Sequence, residues 1–226
     1  MKRLALLLTL LACGSCRHAA PPSVPVRAIL QIPRTDASFQ LNGDLVEPAW
    51  QHAAHTGPFH DTRTGALAVP HSEARLLHDG KRLILGLYAA DEDIETRAGK
   101  PDGPVWTTDA FSLQLRKAGG GPTFLLDISA QGVVTDARLD ADGTVHDDWQ
   151  SGAEVGAEQD GTVNDPRDDD EEWVLEVALP LAAIGAKPGD VLQIRMSRCD
   201  TPHGARRRCG AWGGLRSMEG EVALRP

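Results

Sequence analysis

A two-residue alternation of apolar and polar side chains, repeated in segment after segment, constrains this chain more than any other feature of its sequence. In "FSLQLRK" (111–117), Phe111, Leu113 and Leu115 fall on one side and Ser112, Gln114 and Arg116 on the other, the pattern of a half-buried strand. "RLILGLY" places Leu83, Leu85 and Leu87 on one face, with "DGK" (79–81) as a hairpin turn before it. "PTFLLDIS" sends Phe124, Leu126 and Ile128 inward, and a turn through Gln131 and Gly132 leads to a return strand with Val133, Thr135 and Ala137. "EWVLEVALPL" alternates Trp173, Leu175, Val177 and Leu179 against Val174, Glu176 and Ala178, and "DVLQIRMSRC" repeats the pattern with Leu192, Ile194 and Met196. Helical signals are few. One short turn is expected after an Asp44 cap in "GDLVEPAWQHAA", and another in "PLAAIG", opened by Pro180 and closed by Gly185. Many short alternating strands with little helix specify an all-β chain, a two-sheet antiparallel β-sandwich with short helical turns.

At 226 residues the chain suits one domain with a full core. A formal net charge of −9 and the lack of a basic cluster argue against nucleic acid as a partner and against electrostatic attachment to anionic lipid. At the amino terminus, Lys2 and Arg3 precede "LALLLTLLA" (4–12), which is too short to span a bilayer as a helix and has the form of an export signal. It ends in "LLAC" (10–13), which resembles the bacterial lipobox in which Cys13 is lipidated; ordinary cleavage near Ala20 is the alternative. The expected organisation is a lipoprotein signal and lipobox over 1–13, a Pro-rich tether over 14–25 and a folded domain over 26–226. The chain is expected to be exported and lipid-anchored at the bacterial cell envelope, at the outer membrane, touching membrane only through that lipid.

Export places the mature chain where disulfides persist. Of its four cysteines, Cys13 and Cys16 lie in the signal region, which leaves Cys199 and Cys209 as the natural pair. A bridge over so short a loop contributes about 2–3 kcal/mol in the chain-entropy picture. Two free thiols are the alternative.

The acidic run "QDGTVNDPRDDDEE" (159–172) has carboxylates enough for Ca²⁺ but no EF-hand ligand spacing, so a solvated loop is expected. His52, His55 and His60 lie close in sequence without the further ligands that a Zn²⁺ site needs. Motifs for a nucleophile with its base, for zinc hydrolysis or for phosphate binding do not occur. Nothing marks a carboxylate pair for glycosidic cleavage, and catalysis by this domain is not expected. Met196 lies on a core strand, and no C-x-x-C-H haem attachment motif is present. Trp50 and Trp173 sit on apolar periodic faces and read as core. Trp106, in "GPVWTTD" (103–109), is different: a large indole in a Gly/Pro loop just ahead of a strand.

The segments "LNGDLVEPAWQHA" (41–53), "EARLLHDGKRLILGLYAAD" (73–91), "WTTDAFSLQL" (106–115), "EWVLEVALPLAAIGAKPGD" (172–190) and "IRMSRCD" (194–200) stand in the order found in family 9 carbohydrate-binding modules and their bacterial relatives. The sequence resembles that family over most of residues 39–216. The resemblance implies a β-sandwich that binds poly- or oligosaccharide without cleaving it, commonly at chain ends, with the ring between two tryptophans and Ca²⁺ at structural sites. Such relatives are often attached to, or act with, glycoside hydrolases, so an envelope glycoside hydrolase is an implied partner. Trp106 matches the first tryptophan of the pair, and Asp109 the aspartate three positions on. Trp212 in "CGAWGG" is the available second tryptophan. Arg198 joins Asp109 as a rim hydrogen bonder, and Asp91 and Asp93 are the candidate Ca²⁺ ligands.

Two departures stand out. Ser112 occupies the place of a family acid that bonds sugar hydroxyls, and no arginine stands near Leu125, where the family pattern has one. Each candidate also has a plainer reading: Trp106 capping the core, Trp212 packed on the disulfide, Asp109 capping loop N–H groups, Arg198 a surface charge, and Asp91 to Asp93 a solvated turn. An interaction module that has kept the sandwich and lost the sugar site, and a haem-binding relative of the fold, are the alternative functions.

Overall fold

The alternating segments become strands because each buries one face and satisfies its backbone sideways. The computed structural model describes residues 29–97 and 100–226; the export signal, Cys13, Cys16 and the tether lie outside them. In chain order the strands are β1 (Leu30–Ile32), β2 (Ala54–His55), β3 (His60–Asp61), β4 (Ser72–His78), β5 (Arg82–Ala90), β6 (Ala110–Lys117), β7 (Thr123–Ser129), β8 (Val134–Leu139), β9 (Val145–His146), β10 (Glu154–Asp160), β11 (Glu172–Pro180), β12 (Val191–Asp200), β13 (Arg208–Trp212) and β14 (Gly220–Leu224). Nine of them form one sheet in the order β1-β14-β12-β6-β7-β8-β9, with β13 beside the second half of β12 and β3 beside β13. The other five form the second sheet, β10-β11-β5-β4-β2. Every named pair is antiparallel except β1 with β14. The sheets pack face to face over one core, in which Phe111, Leu113 and Leu115 meet Leu83, Leu85, Leu87, Trp173 and Leu175. Each such side chain removed from water contributes about 1.5–3 kcal/mol. Among the described residues no helix is long and apolar enough to cross a membrane.

The turn Leu181–Ile184 lies between Pro180 and Gly185, and Gly185 closes it with a φ of 63°. The earlier turn starts later than expected, at Pro48 rather than behind Asp44, with Glu47 in the cap position. The reason is tertiary. Residues 41–47 are laid against the outer face of the five-stranded sheet, where neighbouring strands place Gly156, Glu176 and Gly86 in one row. A Cβ at Gly156 would stand 2.0 Å from the backbone carbon of Leu41, and one at Gly86 would stand 2.5 Å from Leu45. Between them, Glu176 is fully buried and accepts the N–H groups of Asn42 at 2.9 Å and Gly43 at 3.1 Å and the indole N–H of Trp50 at 3.0 Å. Trp50 packs on Leu77 and Ile84 with Phe39 and Leu45 alongside, which forms a second, smaller core outside the sheet.

Two further segments differ from expectation. β8 turns Thr135 and Ala137 outward, in register with Asp127 and Leu125, and turns Asp136 inward, where it accepts the Ser151 N–H at 2.7 Å. The acidic run 159–172 is only partly solvated. Asp170 is 6% exposed and ties two loops together by accepting the N–H groups of Ile94 at 2.6 Å and Thr162 at 2.7 Å.

Candidate functional site

The outward side chains of β6, β7, β8 and β12 make a polar surface on the nine-stranded sheet. Ser112 on β6 lies opposite Asp127 on β7 and Ser197 on β12, and Asp127 lies opposite Thr135 on β8. The Ser112 hydroxyl donates to the Asp127 carboxylate. Burial pushes the Asp127 carboxyl above the usual carboxylate range, and the Ser112 hydrogen bond and the Arg207 charge pull the other way.

Trp106 sits in the 3-10 turn Val105–Thr107 just ahead of β6 and is 44% exposed. Its loop is fastened to this face at two points. The outward Thr135 hydroxyl donates to the Gly103 carbonyl, and the Arg207 guanidinium donates to the Trp106 carbonyl. Arg207 comes from the loop between β12 and β13, and the Cys199–Cys209 disulfide closes that loop across directly opposed residues. The expected pairing of the two cysteines is therefore present, and it limits how far Arg207 can move from Trp106. Asp127 and Arg207 carry no local sequence signal; only strand register and the loop closure bring them to this surface.

Trp212 is elsewhere. It stands opposite Met196 in register, on the inward side of the sheet, and packs half-buried against the core. Cys209 shares the outward side with Cys199, so a residue three positions on has the opposite parity. Trp212 lines a cavity of about 400 Å³ with Thr56, Pro58, His60, Gly65 and Leu215, and Trp106 is not part of it. The two indoles do not face each other across one site. Met196 is fully buried in the core. His52, His55 and His60 are all exposed and take no part in the close-set group of acids described next.

Three residues after Trp106 the chain enters a buried charge cluster. Asp109, 0% exposed, accepts the Glu95 N–H at 2.7 Å with one oxygen and the Thr201 N–H at 2.6 Å with the other. Asp91 accepts the Trp173 indole N–H at 2.9 Å, the Asp93 N–H at 3.1 Å and an N–H of Arg198. Asp200 accepts from Arg208 Nε at 2.6 Å and lies 3.4 Å from Arg198 Nη2. Burial, with the Asp91 charge beside it, pushes the Asp109 carboxyl up to about 8; burial raises Asp91 as well, against the pull of Arg198. Asp109 and Arg198, expected as rim hydrogen bonders, are thus interior groups. Asp109 joins two loops, and Arg198, 2% exposed, neutralises acids beneath the surface. Its parity gave the signal: Leu192, Ile194, Met196 and Arg198 follow one another on the inward side of β12.

Asp91, Asp109 and Asp200 form the one set of three potential metal ligands among the described residues, each with an oxygen within 4.8 Å of the others. Asp93, the second expected Ca²⁺ ligand, is outside that set; it accepts the His203 N–H at 2.6 Å with one oxygen, and the other has no partner.

No family model and no curated protein matches the chain in sequence. Solved structures match it in fold. A Bacteroides uniformis protein provisionally described as carbohydrate-binding aligns with a TM-score of 0.68 at 13% identity, over 85% of this chain and 97% of its own. A family 9 carbohydrate-binding module from Caldicellulosiruptor kristjanssonii in complex with cellotriose aligns with a TM-score of 0.55 at 13% identity, over 88% and 94%. Its complex with glucose gives 0.52 at 14% identity, over 86% and 95%. At these identities the likeness is one of architecture, and the chain has the two-sheet β-sandwich fold of the family 9 carbohydrate-binding modules.

Proposed function

We propose that the protein binds saccharide without cleaving it, on the outer face of the nine-stranded sheet around Trp106. The observation that carries this reading is the exposure of that one indole. Trp50 and Trp173 are 1% and 0% exposed, Trp149 and Trp212 are half-buried against the core, and Trp106 is 44% exposed. A pyranose has an apolar C–H flank and a polar edge, which suits a bare indole with hydrogen-bonding neighbours. Covering about 100–150 Å² of apolar surface at about 25 cal/mol per Å² contributes about 2.5–4 kcal/mol, which corresponds to millimolar affinity.

Polar groups must add the rest. The acid absent at Ser112 has a counterpart directly opposite, in Asp127, and the arginine absent near Leu125 has one in Arg207. The fold neighbours solved with cellotriose and with glucose make gluco-oligosaccharides the first ligands to try. The "LLAC" lipobox supports a tether at the cell envelope through Cys13, where the domain would hold glycan for an envelope glycoside hydrolase.

Calorimetric titration with cellotriose, extended to a glycan array, tests the reading. Trp106→Ala is expected to weaken saccharide binding by at least about tenfold while moving the melting temperature by no more than about 2 °C. Unchanged affinity in that variant overturns the stacking role. The absence of an indole facing Trp106 favours one second reading, an interaction module that has lost its sugar site, and binding to no glycan on a broad array is the result that would establish it.

A further inference from the structure

We propose that Arg198 is a built-in cation that stands in place of a structural Ca²⁺, so that the loops around Trp106 are held by a guanidinium rather than by a metal. The inference does not depend on the saccharide reading. Asp91, Asp109 and Asp200 are each 2% exposed or less, and three acids gathered out of water require cations or protons to offset their charge. A Ca²⁺ ion takes six to eight oxygen ligands. The three aspartates offer six carboxylate oxygens, and five of them already accept N–H donors: both of Asp91, both of Asp109, and the Asp200 oxygen held by Arg208. The sixth, Oδ1 of Asp200, lies 3.4 Å from Arg198 Nη2.

An oxygen can accept a hydrogen bond and ligate a metal at once, but here the guanidinium itself lies between Asp91 and Asp200 and contacts both. Arginine suits the position better than a point charge. Its planar head donates to Asp91, stands at ion-pair distance from Asp200 and lies over the Trp173 ring, 5.8 Å from the centroid, while Trp173 donates its own N–H to Asp91. The residues present therefore do not fit a bound Ca²⁺.

What the cluster joins gives Arg198 its importance. Asp91 follows β5, Asp109 leads from Trp106 into β6, and Asp200 ends β12, where Thr201 and His203 begin the disulfide-closed loop that carries Arg207. A metal in this position would make the loops sensitive to chelators. A guanidinium makes them indifferent.

Thermal melts of the purified protein in EDTA and in excess Ca²⁺ test the proposal, with Tb³⁺ as a luminescent probe because Trp173 would sensitise an ion bound beside Asp91. The expected result is melting temperatures within about 1 °C of each other and no saturable Tb³⁺ emission, where a well-occupied Ca²⁺ site would raise the melting temperature by about 5 °C or more. A Ca²⁺-dependent rise of that size, with sensitised Tb³⁺ emission, both lost in Asp91→Asn, overturns it. Arg198→Ala is expected to melt at least about 10 °C lower in EDTA, or to fail to fold there, and to regain stability with Ca²⁺ as Tb³⁺ emission appears. An Arg198→Ala protein as stable in EDTA as its parent also overturns the proposal. If that variant folds in neither condition, the comparison on the parent protein decides the question.

Discussion

The two sheets treat their outer faces in opposite ways. On the five-stranded sheet the row Gly156, Glu176 and Gly86 forms a slot, and the chain's own residues 39–50 fill it with backbone, Leu45 and Trp50. On the nine-stranded sheet the corresponding surface shows Ser112, Gln114, Asp127 and Thr135, with Trp106 at its edge. A polar group in the outward phase of a strand is thus no guide by itself. Glu176 is outward and serves the fold; Asp127 is outward, holds the Ser112 hydroxyl and is the group that the proposed saccharide site would use. What separates them is whether a covering segment has already claimed the face.

That contrast can be broken most forcefully at Glu176. Glu176→Ala leaves three donors without their acceptor, those of Gly43 and Trp50 buried, and is expected to cost about 3–5 kcal/mol. The melting temperature should fall by about 10 °C or more, with Trp50 fluorescence shifting toward that of a wet indole. Saccharide affinity measured well below that temperature should persist, and its loss would mean that the two faces are coupled. Next in size is Gly156→Ala, which sets a methyl against the Leu41 backbone and should cost about 1–3 kcal/mol in a denaturant melt; a neutral result would show that the cover lies loosely.

The buried acids supply a pH dependence. Asp91, Asp109 and Glu176 all have folded carboxyls raised above their unfolded values, chiefly by burial. A raised carboxyl binds its proton more tightly when folded, so its contribution is complete at low pH and is lost as the unfolded chain ionises first. For Asp109 the window opens at the unfolded value of 3.8 and closes at about 8. The melting temperature should decline across that window, and Asp109→Asn should flatten the decline while lowering stability overall, because one acceptor becomes a donor. A melting temperature that rises with pH over the window contradicts this account. The smallest effect is expected at Asp127→Asn, which should change stability by under about 1 kcal/mol and weaken saccharide binding by a few-fold in the same calorimetric assay.

The parts of the molecule legible in the sequence are those set by local period. β6 and β12 could be read because one buried face imposes alternation, β11 because its inward phase is a run of large apolar side chains, and the cystine because Cys199 and Cys209 are the two cysteines of residues 26–226. Glu176 could not be read, since it occupies the polar phase of β11 and its partners lie more than 120 residues earlier. The late start of the turn at Pro48 has the same origin, because the slot rather than a side-chain cap shapes residues 41–47. Arg198 is instructive in another way. Its parity pointed inward, but a lone charge reads as surface until the acids that surround it are assembled from three separate segments. Trp212 had the opposite fault: its aromatic character suggested a binding wall, and its parity relative to Cys209 places it against the core.

The cystine at the neck of the β12–β13 loop has an evolutionary consequence. Residues 203–207 are exposed, and the strands on either side are locked together by Cys199 and Cys209 whatever lies between them. Lengthening such a tip costs little chain entropy, and exposed tips tolerate insertion. Selection, or a combinatorial library built from Gly204 to Arg206, can therefore rewrite the neighbourhood of Trp106 without repacking either sheet, and under the proposed saccharide role this hairpin is the place for specificity to diverge.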